Sequence, residues 1–215
     1  APVSDDITLA ASDLVLINTE TGAQVLTRTF TGVTKARIGS DGTRIAVTVV
    51  TYLTDTPFDQ DDLSSKVTVI NAADGTQVGS TITKQGYSVA TPNADGSRLI
   101  ISTITGTYVT GATTTTIAEV NSSTSAQIGS GVVIANGQTR AAAAFSADGS
   151  RAAVIVDFYS SQPFTAKLAV INMNTGALVG GSAVPLGPTT VADPVLTPDG
   201  TRAVQVTRYT DYTQT

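Results

Sequence analysis

The densest group of candidate metal ligands in the sequence is a run of carboxylates in one connecting segment. Its members are Asp55, Asp59, Asp61 and Asp62. Ca²⁺ takes six to eight oxygen ligands, which a flexible acidic loop can supply. The spacing is not that of an EF-hand, because a loop that starts at Asp61 has no Gly at its sixth position and no Glu at its twelfth. A calcium site is therefore one hypothesis, and a solvated acidic loop, with no cofactor, is the alternative that we favour.

Aromatic side chains concentrate in the same kind of connection, and acids accompany them. An aromatic and acidic surface of this type can bind a sugar, a peptide or a cation. Long hairpins, however, also use aromatic cross-strand pairs for their own stability, and this structural explanation carries more weight. The binding-face candidates are Tyr52, Asp55, Phe58, Tyr108, Phe158, Tyr159, Tyr209 and Tyr212, with Phe164, Asp157 and Asp211 in the same connections.

Catalysis has little support in the residue types. The chain contains no His and no Cys. This excludes a Ser-His-Asp triad, a Cys nucleophile and a His-ligated zinc ion. A hydrolase that uses a metal and carboxylates such as Asp157 or Asp193 remains the minority hypothesis, so we expect a protein that is not an enzyme.

The charge balance argues against polyanionic partners. The chain has 12 basic and 17 acidic residues, a net charge of -5 and no basic run, so we expect no nucleic-acid binding. No apolar run approaches the ~20 residues that span a bilayer, so we expect no membrane insertion.

The Thr-rich, Cys-free composition favours an exported or cell-surface protein, and the start at Ala1 predicts a processed chain or a piece of a longer one.

A five-residue phrase occurs four times and sets the period of the chain. It reads SDGTR at 40–44, ADGSR at 94–98, ADGSR at 147–151 and PDGTR at 198–202, so its Asp residues are separated by 54, 53 and 51 positions. A period of this length is typical of propellers and solenoid arrays. Asp-Gly between strand-like runs predicts a hairpin, because Gly adopts a positive φ without a steric clash.

A second phrase recurs in step with the first one. It is a strand-like run that ends in Asn18, Asn71, Asn121 and Asn172, and three of the four continue into a turn with Gly. Each repeat then reads as four strands, which we name A to D. Strand A precedes the Asp-Gly turn, B follows it, C carries the Asn phrase and D follows the second turn. The Ala-rich run at 139–144 has high helix propensity, but its place in the repeat favours strand A.

The two phrases resemble the YVTN-type β-propeller repeats of bacterial surface proteins, and the Asp-Gly-Ser/Thr-Arg half is similar to TolB-type repeats. The resemblance covers nearly the whole chain, and it implies an all-β propeller of four-stranded antiparallel blades. The sequence departs from the YVTN pattern after each Arg, where Ile45 to Thr48 and their counterparts replace the Tyr-Val-Thr-Asn signature. The B–C connections are also longer than in that family.

The repeats predict a single domain over 1–215. Full blades fall at about 30–84, 85–135 and 136–186, and 187–215 together with 1–29 would complete a fourth blade. We expect a closed four-blade ring, because closure removes exposed sheet edges. The alternative is part of a larger propeller, completed by further blades or by a second chain. In a closed ring, Asp5 and Asp6 would join the acidic surface.

Strand order predicts where a function is located. In a meander the Asp-Gly and C–D turns share one end of the blades, and the B–C and D–A connections share the other. The repeated turns are structural, so the B–C end is the expected site, where a glycan, peptide or protein would bind.

The repeated Arg44, Arg98, Arg151 and Arg202 are expected to form local or inter-blade ion pairs. The alternatives are a metal-assisted, lactonase-like hydrolase and a purely structural spacer.

Overall fold

The computed structural model describes residues 11–53, 59–107, 112–138, 143–158, 165–187 and 193–206. Its regular structure is β-strand, with two single-turn 3₁₀ helices at Gln60–Asp62 and Val179–Gly181. Within these ranges no helix has the length and apolar character needed to cross a bilayer. The strands are β1 (Ala11–Ile17), β2 (Gln24–Thr31), β3 (Val33–Ile38), β4 (Arg44–Tyr52), β5 (Leu63–Asn71), β6 (Gln77–Gln85), β7 (Tyr87–Pro92), β8 (Arg98–Thr107), β9 (Ala112–Asn121), β10 (Gln127–Ala135), β11 (Ala144–Phe145), β12 (Arg151–Phe158), β13 (Thr165–Asn172), β14 (Ala177–Leu178), β15 (Val184–Gly187), β16 (Val195–Leu196) and β17 (Ala203–Val204).

The strands form successive antiparallel meanders, as the repeat predicts. Sheets β3-β4-β5-β6 and β7-β8-β9-β10 each contain four strands in chain order. The next sheet is β11-β12-β13-β14, in which β15 also pairs with β13. The chain is therefore all-β, and its sheets are the four-stranded blades of a β-propeller. We call β3–β6 the first full blade, β7–β10 the second and β11–β15 the third.

The core lies between neighbouring blades, because each sheet is apolar on both faces along its central strands. In β8 the alternation sends Leu99 and Ile101 toward the first full blade, where they pack with Val67 and Val69. Ile100, on the opposite face, packs with residues of the third full blade such as Val154 and Ile171. These side chains are almost completely buried. Sheet-on-sheet burial thus links the blades in chain order.

Both kinds of turn have the chemistry that the sequence predicts. The four glycines of the Asp-Gly turns, Gly42, Gly96, Gly149 and Gly200, have φ between 63° and 77°. In each turn the Asp carboxylate accepts a hydrogen bond from the backbone N–H two residues later, for example from Thr43 to Asp41 at 2.9 Å. The C–D turns use the Asn side chain in the same way, as from Ala73 to Asn71 at 3.0 Å. Side chains therefore satisfy the turn backbone locally.

Two details differ from the sequence-based expectation. Strand A of the third full blade is described only as β11, since 139–142 lie outside the described residues. Strand D of that blade is divided into β14 and β15 by the 3₁₀ helix Val179–Gly181. Gly180 and Gly181 both have positive φ there, at 73° and 76°, so the chain leaves the extended conformation for one turn.

The predicted four-blade ring is not closed in the described part of the chain. Strands β1 and β2 form one two-stranded sheet, and β16 and β17 form another. Closure would require hydrogen bonds between β17, the strand B of the fourth blade, and β1, its strand C. The described β17 contains only Ala203 and Val204, whereas its counterpart β4 has nine residues. Residues 207–210, the counterparts of the second half of β4, lie outside the described ranges, and within those ranges β17 and β1 do not pair.

Candidate functional site

The B–C end of the first full blade carries an exposed pair of large side chains. Tyr52 ends β4 opposite Leu63 on β5, and its side chain is 41% exposed. Leu53, the next residue, is 60% exposed. Tyr52 is thus a member of the predicted aromatic binding surface that faces solvent, and Leu53, which was not predicted, lies beside it in the chain. The candidates Asp55, Phe58, Tyr108, Tyr159, Tyr209 and Tyr212, together with Phe164 and Asp211, lie outside the described residues.

The acidic run folds into a turn that fastens the first full blade to the second. The Asp59 carboxylate accepts a hydrogen bond from the Asp61 N–H at 3.0 Å. The Asp61 carboxylate accepts one from the N–H of Gly106, on β8 of the neighbouring blade, at 2.9 Å. Asp59 also forms a β-bridge with Thr107. These contacts give the carboxylates a structural role that requires no metal.

The predicted calcium ligands are only partly within the described residues. No three acidic side chains within them approach each other closely enough to hold a metal ion, and this includes Asp59, Asp61 and Asp62. Asp55, the fourth predicted ligand, lies outside the described ranges. The calcium site therefore stays a prediction.

Phe158 and Asp157, at the end of β12, contact the core between two blades and the segment that precedes β11. Phe158 packs against the core between the second and third full blades, and the Lys167 ammonium lies 4.9 Å from its ring centroid. Asp157 exchanges two backbone hydrogen bonds of 2.8 Å with Gln138. Phe158 therefore contributes to packing, and its role in binding stays a prediction. Asp193, the other carboxylate considered for catalysis, is exposed.

Two of the four repeated arginines, Arg44 and Arg98, contact the next blade, whereas Arg151 donates to the Ser150 carbonyl in its own turn. Arg98 donates to the Glu119 carboxylate at 2.7 Å, which confirms an ion pair, and it also donates to the carbonyl of Met173 in the next blade. Arg44 reaches the next blade through neutral acceptors, the Ser122 hydroxyl at 2.9 Å and the Gly96 carbonyl at 3.4 Å. Within the described residues the expected ion pair is therefore found for Arg98, while the partners of Arg44 are neutral.

The inner strands of four repeats converge on one cavity of about 400 Å³, which we call the axial cavity. It lies where strands A enter the Asp-Gly turns. Two repeat positions line it in every repeat, the residue three before the turn Asp and the residue directly before it. The first set is Ile38, Pro92, Phe145 and Leu196, and the second is Ser40, Ala94, Ala147 and Pro198. Thr91, Asn93, Ala143 and Ser146 complete the lining.

Hydrogen bonds between blades fix the walls of the axial cavity. The Asp41 N–H donates to the Ala94 carbonyl at 3.0 Å, and the Asp148 N–H donates to the Pro198 carbonyl at 3.1 Å. Both bonds join one Asp-Gly turn to the turn of the next repeat. The Ala143 N–H donates to the Thr91 hydroxyl at 3.1 Å. The cavity is therefore formed before any ligand binds, because hydrogen bonds between the blades already hold its walls in place.

The lining of the axial cavity is uncharged. Its polar side chains carry hydroxyls and one amide, and Phe145 contributes a partly buried aromatic ring. The Ser146 hydroxyl donates to Asp148 at 2.6 Å, and the Asn93 carbonyl oxygen accepts from the Arg98 N–H at 3.0 Å. Such a cavity suits a neutral ligand, because a charged one would lose its hydration without gaining an opposite charge.

The axial cavity was not predicted from the sequence, because the repeated Asp-Gly turns at this end of the blades indicated a structural role alone. One signal was available in the sequence. The position three before each turn Asp is Ile38, Pro92, Phe145 and Leu196, which are apolar but differ widely in shape. A purely structural repeat position would favour one shape, so this variation marks a surface that differs from blade to blade.

Comparisons with known proteins support the fold alone. The sequence matches no protein-family model and no curated protein. Hydrazine synthase of Kuenenia stuttgartiensis aligns with a TM-score of 0.60 and 14% identity, covering 89% of this chain and 54% of its own. The β-propeller domain of the Trilobed protease from Pyrococcus furiosus, described as having an open velcro topology, aligns at 0.48 and 13% identity over 94% and 60%. This chain thus spans about half the length of the hydrazine synthase chain that it matches.

Proposed function

We propose that this chain is a non-catalytic binding module, exported or at a cell surface, that holds an uncharged segment of a glycan in the axial cavity. The observation that carries the proposal is the convergence of the same two positions from four repeats on one uncharged cavity of about 400 Å³. This volume lies in the range of small-molecule sites, roughly 300–1,000 Å³.

The lining favours a sugar over other neutral ligands. Sugar hydroxyls both donate and accept hydrogen bonds, as do the hydroxyls of Ser40 and Thr91 and the amide of Asn93. The apolar face of a sugar ring can pack on Phe145 and Ile38, which also line the cavity. Ile38 is 49% exposed, so a ligand there would cover apolar surface that is now in water. A short neutral peptide segment is the competing occupant.

A glycan array followed by calorimetric titration of the strongest neutral hit tests the proposal. We expect Ile38→Ala and Phe145→Ala to weaken binding at least tenfold. Phe145 also packs against the core, so its variant requires a melting curve, whereas the exposed side chain of Ile38 gives a readout that is independent of folding. A neutral peptide library, screened in parallel, identifies the competing occupant.

Tyr52→Ala is the matched control for the opposite end of the blades. The exposed pair of Tyr52 and Leu53 is the observation that supports a second binding surface at the B–C hairpins. We expect this variant to bind the glycan like the wild type. Loss of binding in Tyr52→Ala but not in Ile38→Ala would transfer the function to the B–C end. An array on which no glycan binds, together with a hydrolytic activity of the purified protein, would favour the hydrolase alternative.

A further inference from the structure

A second cavity, of about 270 Å³, opens between β2 and the outer strands of the first full blade. We call it the rim groove. Its charged lining residues are Arg28 and Lys66, and Phe30, Thr68, Gln77 and Thr81 lie around them. We propose that the rim groove binds the oxyanion of an anionic sugar residue, a carboxylate or a sulfate, at a site independent of the axial cavity.

Strand alternation places both cations on the same groove. On β2, Leu26, Arg28 and Phe30 are the partly buried positions, and Leu26 and Phe30 pack against the core of the first full blade. On β5, Lys66 and Thr68 alternate with the buried Val67 and Val69. The two strands therefore present Arg28 and Lys66 from opposite walls.

Neither cation is neutralised by the described part of the protein. The pair of Arg98 and Glu119 is the salt bridge found in the described residues, so Arg28 and Lys66 have no carboxylate partner there. No acid lines the rim groove. In a chain with a net charge of -5, two neighbouring cations without acids produce a local positive potential that attracts an anion.

The Arg28 guanidinium is held in an orientation that suits an oxyanion. Its central carbon lies 5.3 Å from the centroid of the Phe30 ring, and one nitrogen is 3.5 Å from the Gly75 carbonyl oxygen. Contact with an aromatic ring restricts a planar guanidinium while its edges can still donate. Guanidinium groups bind carboxylate and sulfate-like oxyanions through two parallel hydrogen bonds.

The other lining residues offer polar groups to the hydroxyls of a sugar residue and an apolar surface to its ring. The hydroxyl oxygens of Thr68 and Thr81 are 3.2 Å apart, and the Gln77 amide nitrogen is 3.4 Å from the Thr81 hydroxyl. These exposed groups exchange hydrogen bonds readily with sugar hydroxyls. Val49 and Phe30 supply an apolar surface for the ring.

The third full blade has a lysine at the same repeat position, and there its ammonium group contacts an aromatic ring. Lys167 stands five residues before Asn172, as Lys66 stands five before Asn71. Lys167 lies over the Phe158 ring at 4.9 Å, whereas Lys66 is exposed and lines the rim groove. The rim groove is therefore a feature of one blade and not a consequence of the repeat.

Calorimetric titration with three matched oligosaccharides tests the proposal. The probes are a galacturonate hexamer for carboxylate, a sulfated cello-oligosaccharide for sulfate, and unmodified cello-oligosaccharide as the neutral control. We expect one or both anionic probes to bind, with affinity that falls as salt rises. Arg28→Gln and Lys66→Gln should each weaken that binding at least tenfold. The arm that binds more tightly identifies the oxyanion.

Charge-matched variants separate the rim groove from a general effect of charge. Arg37→Gln and Lys84→Gln remove the same charges from β3 and β6, outside the groove lining. We expect both to bind within twofold of the wild type, and all four variants to melt within a few degrees of it. Failure of both anionic probes to bind, equally tight binding of the neutral probe that Arg28→Gln also weakens, or equal weakening by Arg37→Gln and Lys84→Gln would each overturn the proposal. The Ile38→Ala variant should leave this binding unchanged, which distinguishes the rim groove from the axial cavity.

Discussion

The guanidinium of Arg98 lies 2.7 Å from the carboxylate of Glu119 across the β8–β9 pair. The Glu119 side chain is fully buried, while that of Arg98 is 34% exposed. The second carboxylate oxygen of Glu119 is buried and has no hydrogen-bond partner in the described part of the chain. At the same repeat position the other strands C carry Leu16, Val69 and Val170, so Glu119 is a carboxylate in an otherwise aliphatic position.

Replacing Arg98 should lower the free energy of unfolding more than replacing Glu119 does. Arg98→Met leaves a buried carboxylate without its cation, whereas Glu119→Leu restores the side-chain type of the other repeats. We expect Arg98→Met to lower the free energy of unfolding by about 2–3 kcal/mol at pH 7, below the full cost of a broken buried pair because Arg98 is partly exposed. Glu119→Leu should remain within about 1 kcal/mol of the wild type. Urea denaturation measures both, and equal losses would contradict this account.

The cost of Arg98→Met should depend on pH. Burial raises the pKa of Glu119, and the hydrogen bond and charge of Arg98 oppose that rise. A carboxyl whose folded-state pKa is raised contributes stability that is fully present below its unfolded pKa, about 4.3, and is lost as pH rises through the folded pKa. Without Arg98 the raised pKa moves further up. We therefore expect the loss in Arg98→Met to be smaller at pH 4.5 than at pH 7, and a loss that is constant with pH would contradict the prediction.

Gly129 should be far less tolerant of a side chain than Gly149. Both have left-handed backbone, with φ of 69° and 68°. A Cβ at Gly129 would lie 2.0 Å from the carbonyl oxygen of Thr175 in the next blade, whereas one at Gly149 would meet nothing within 4 Å. We expect Gly149→Ala to lower the free energy of unfolding by about 1 kcal/mol, the cost of the backbone conformation alone. Gly129→Ala adds a clash with rigid backbone and should cost at least 2 kcal/mol more. Chemical denaturation of the two variants compares them directly, and similar losses would show that the blades can separate there at little cost.

The repeat predicted the blades because turn chemistry is local. An Asp, a Gly and a hydroxyl residue within four positions are enough to specify each hairpin, and the Asn phrase specifies the next one. Ring closure and the axial cavity depend instead on how strand ends about fifty residues apart converge, which no local pattern encodes. Ile38 and Phe145 were visible as variable apolar positions, but their meeting in one cavity was not. Glu119 was detectable by comparing the four strands C, although its burial against Arg98 required the structure.

The Asp-Gly turns should make the protein sensitive to acid. Hydrogen bonds lower the pKa of Asp148, first from the Ser146 hydroxyl and then from the Ser150 N–H. The pKa of Asp199 is lowered in the same way by Thr197 and Thr201. A depressed pKa contributes stability above the unfolded value of about 3.9, and this is lost as pH falls through the folded pKa. We therefore expect the melting temperature to fall as the pH drops below 4.

Asn variants of these turns test the origin of that acid sensitivity. Asn keeps the oxygen that accepts the backbone N–H but cannot be protonated in this range. Asp148→Asn and the double variant Asp148→Asn/Asp199→Asn should therefore show progressively smaller falls in melting temperature between pH 4 and pH 2.5. A fall as steep as that of the wild type in the double variant would place the acid sensitivity elsewhere.

Substitutions of Asp61 can distinguish a structural role of its carboxylate from a role as a calcium ligand. Its carboxylate accepts the Gly106 N–H at 2.9 Å, and the neutral Asn side chain can accept the same bond. If the role is structural, Asp61→Asn should melt close to the wild type, and Asp61→Ala should lose about 1 kcal/mol, with no difference between EDTA and excess Ca²⁺. A calcium ligand would behave differently, because replacing a carboxylate by an amide removes one of the negative charges that set the Ca²⁺ affinity of a site. We expect the structural pattern. A wild-type melting temperature that rises with Ca²⁺, and an Asp61→Asn variant that does not respond, would instead establish the calcium site of Asp55, Asp59, Asp61 and Asp62.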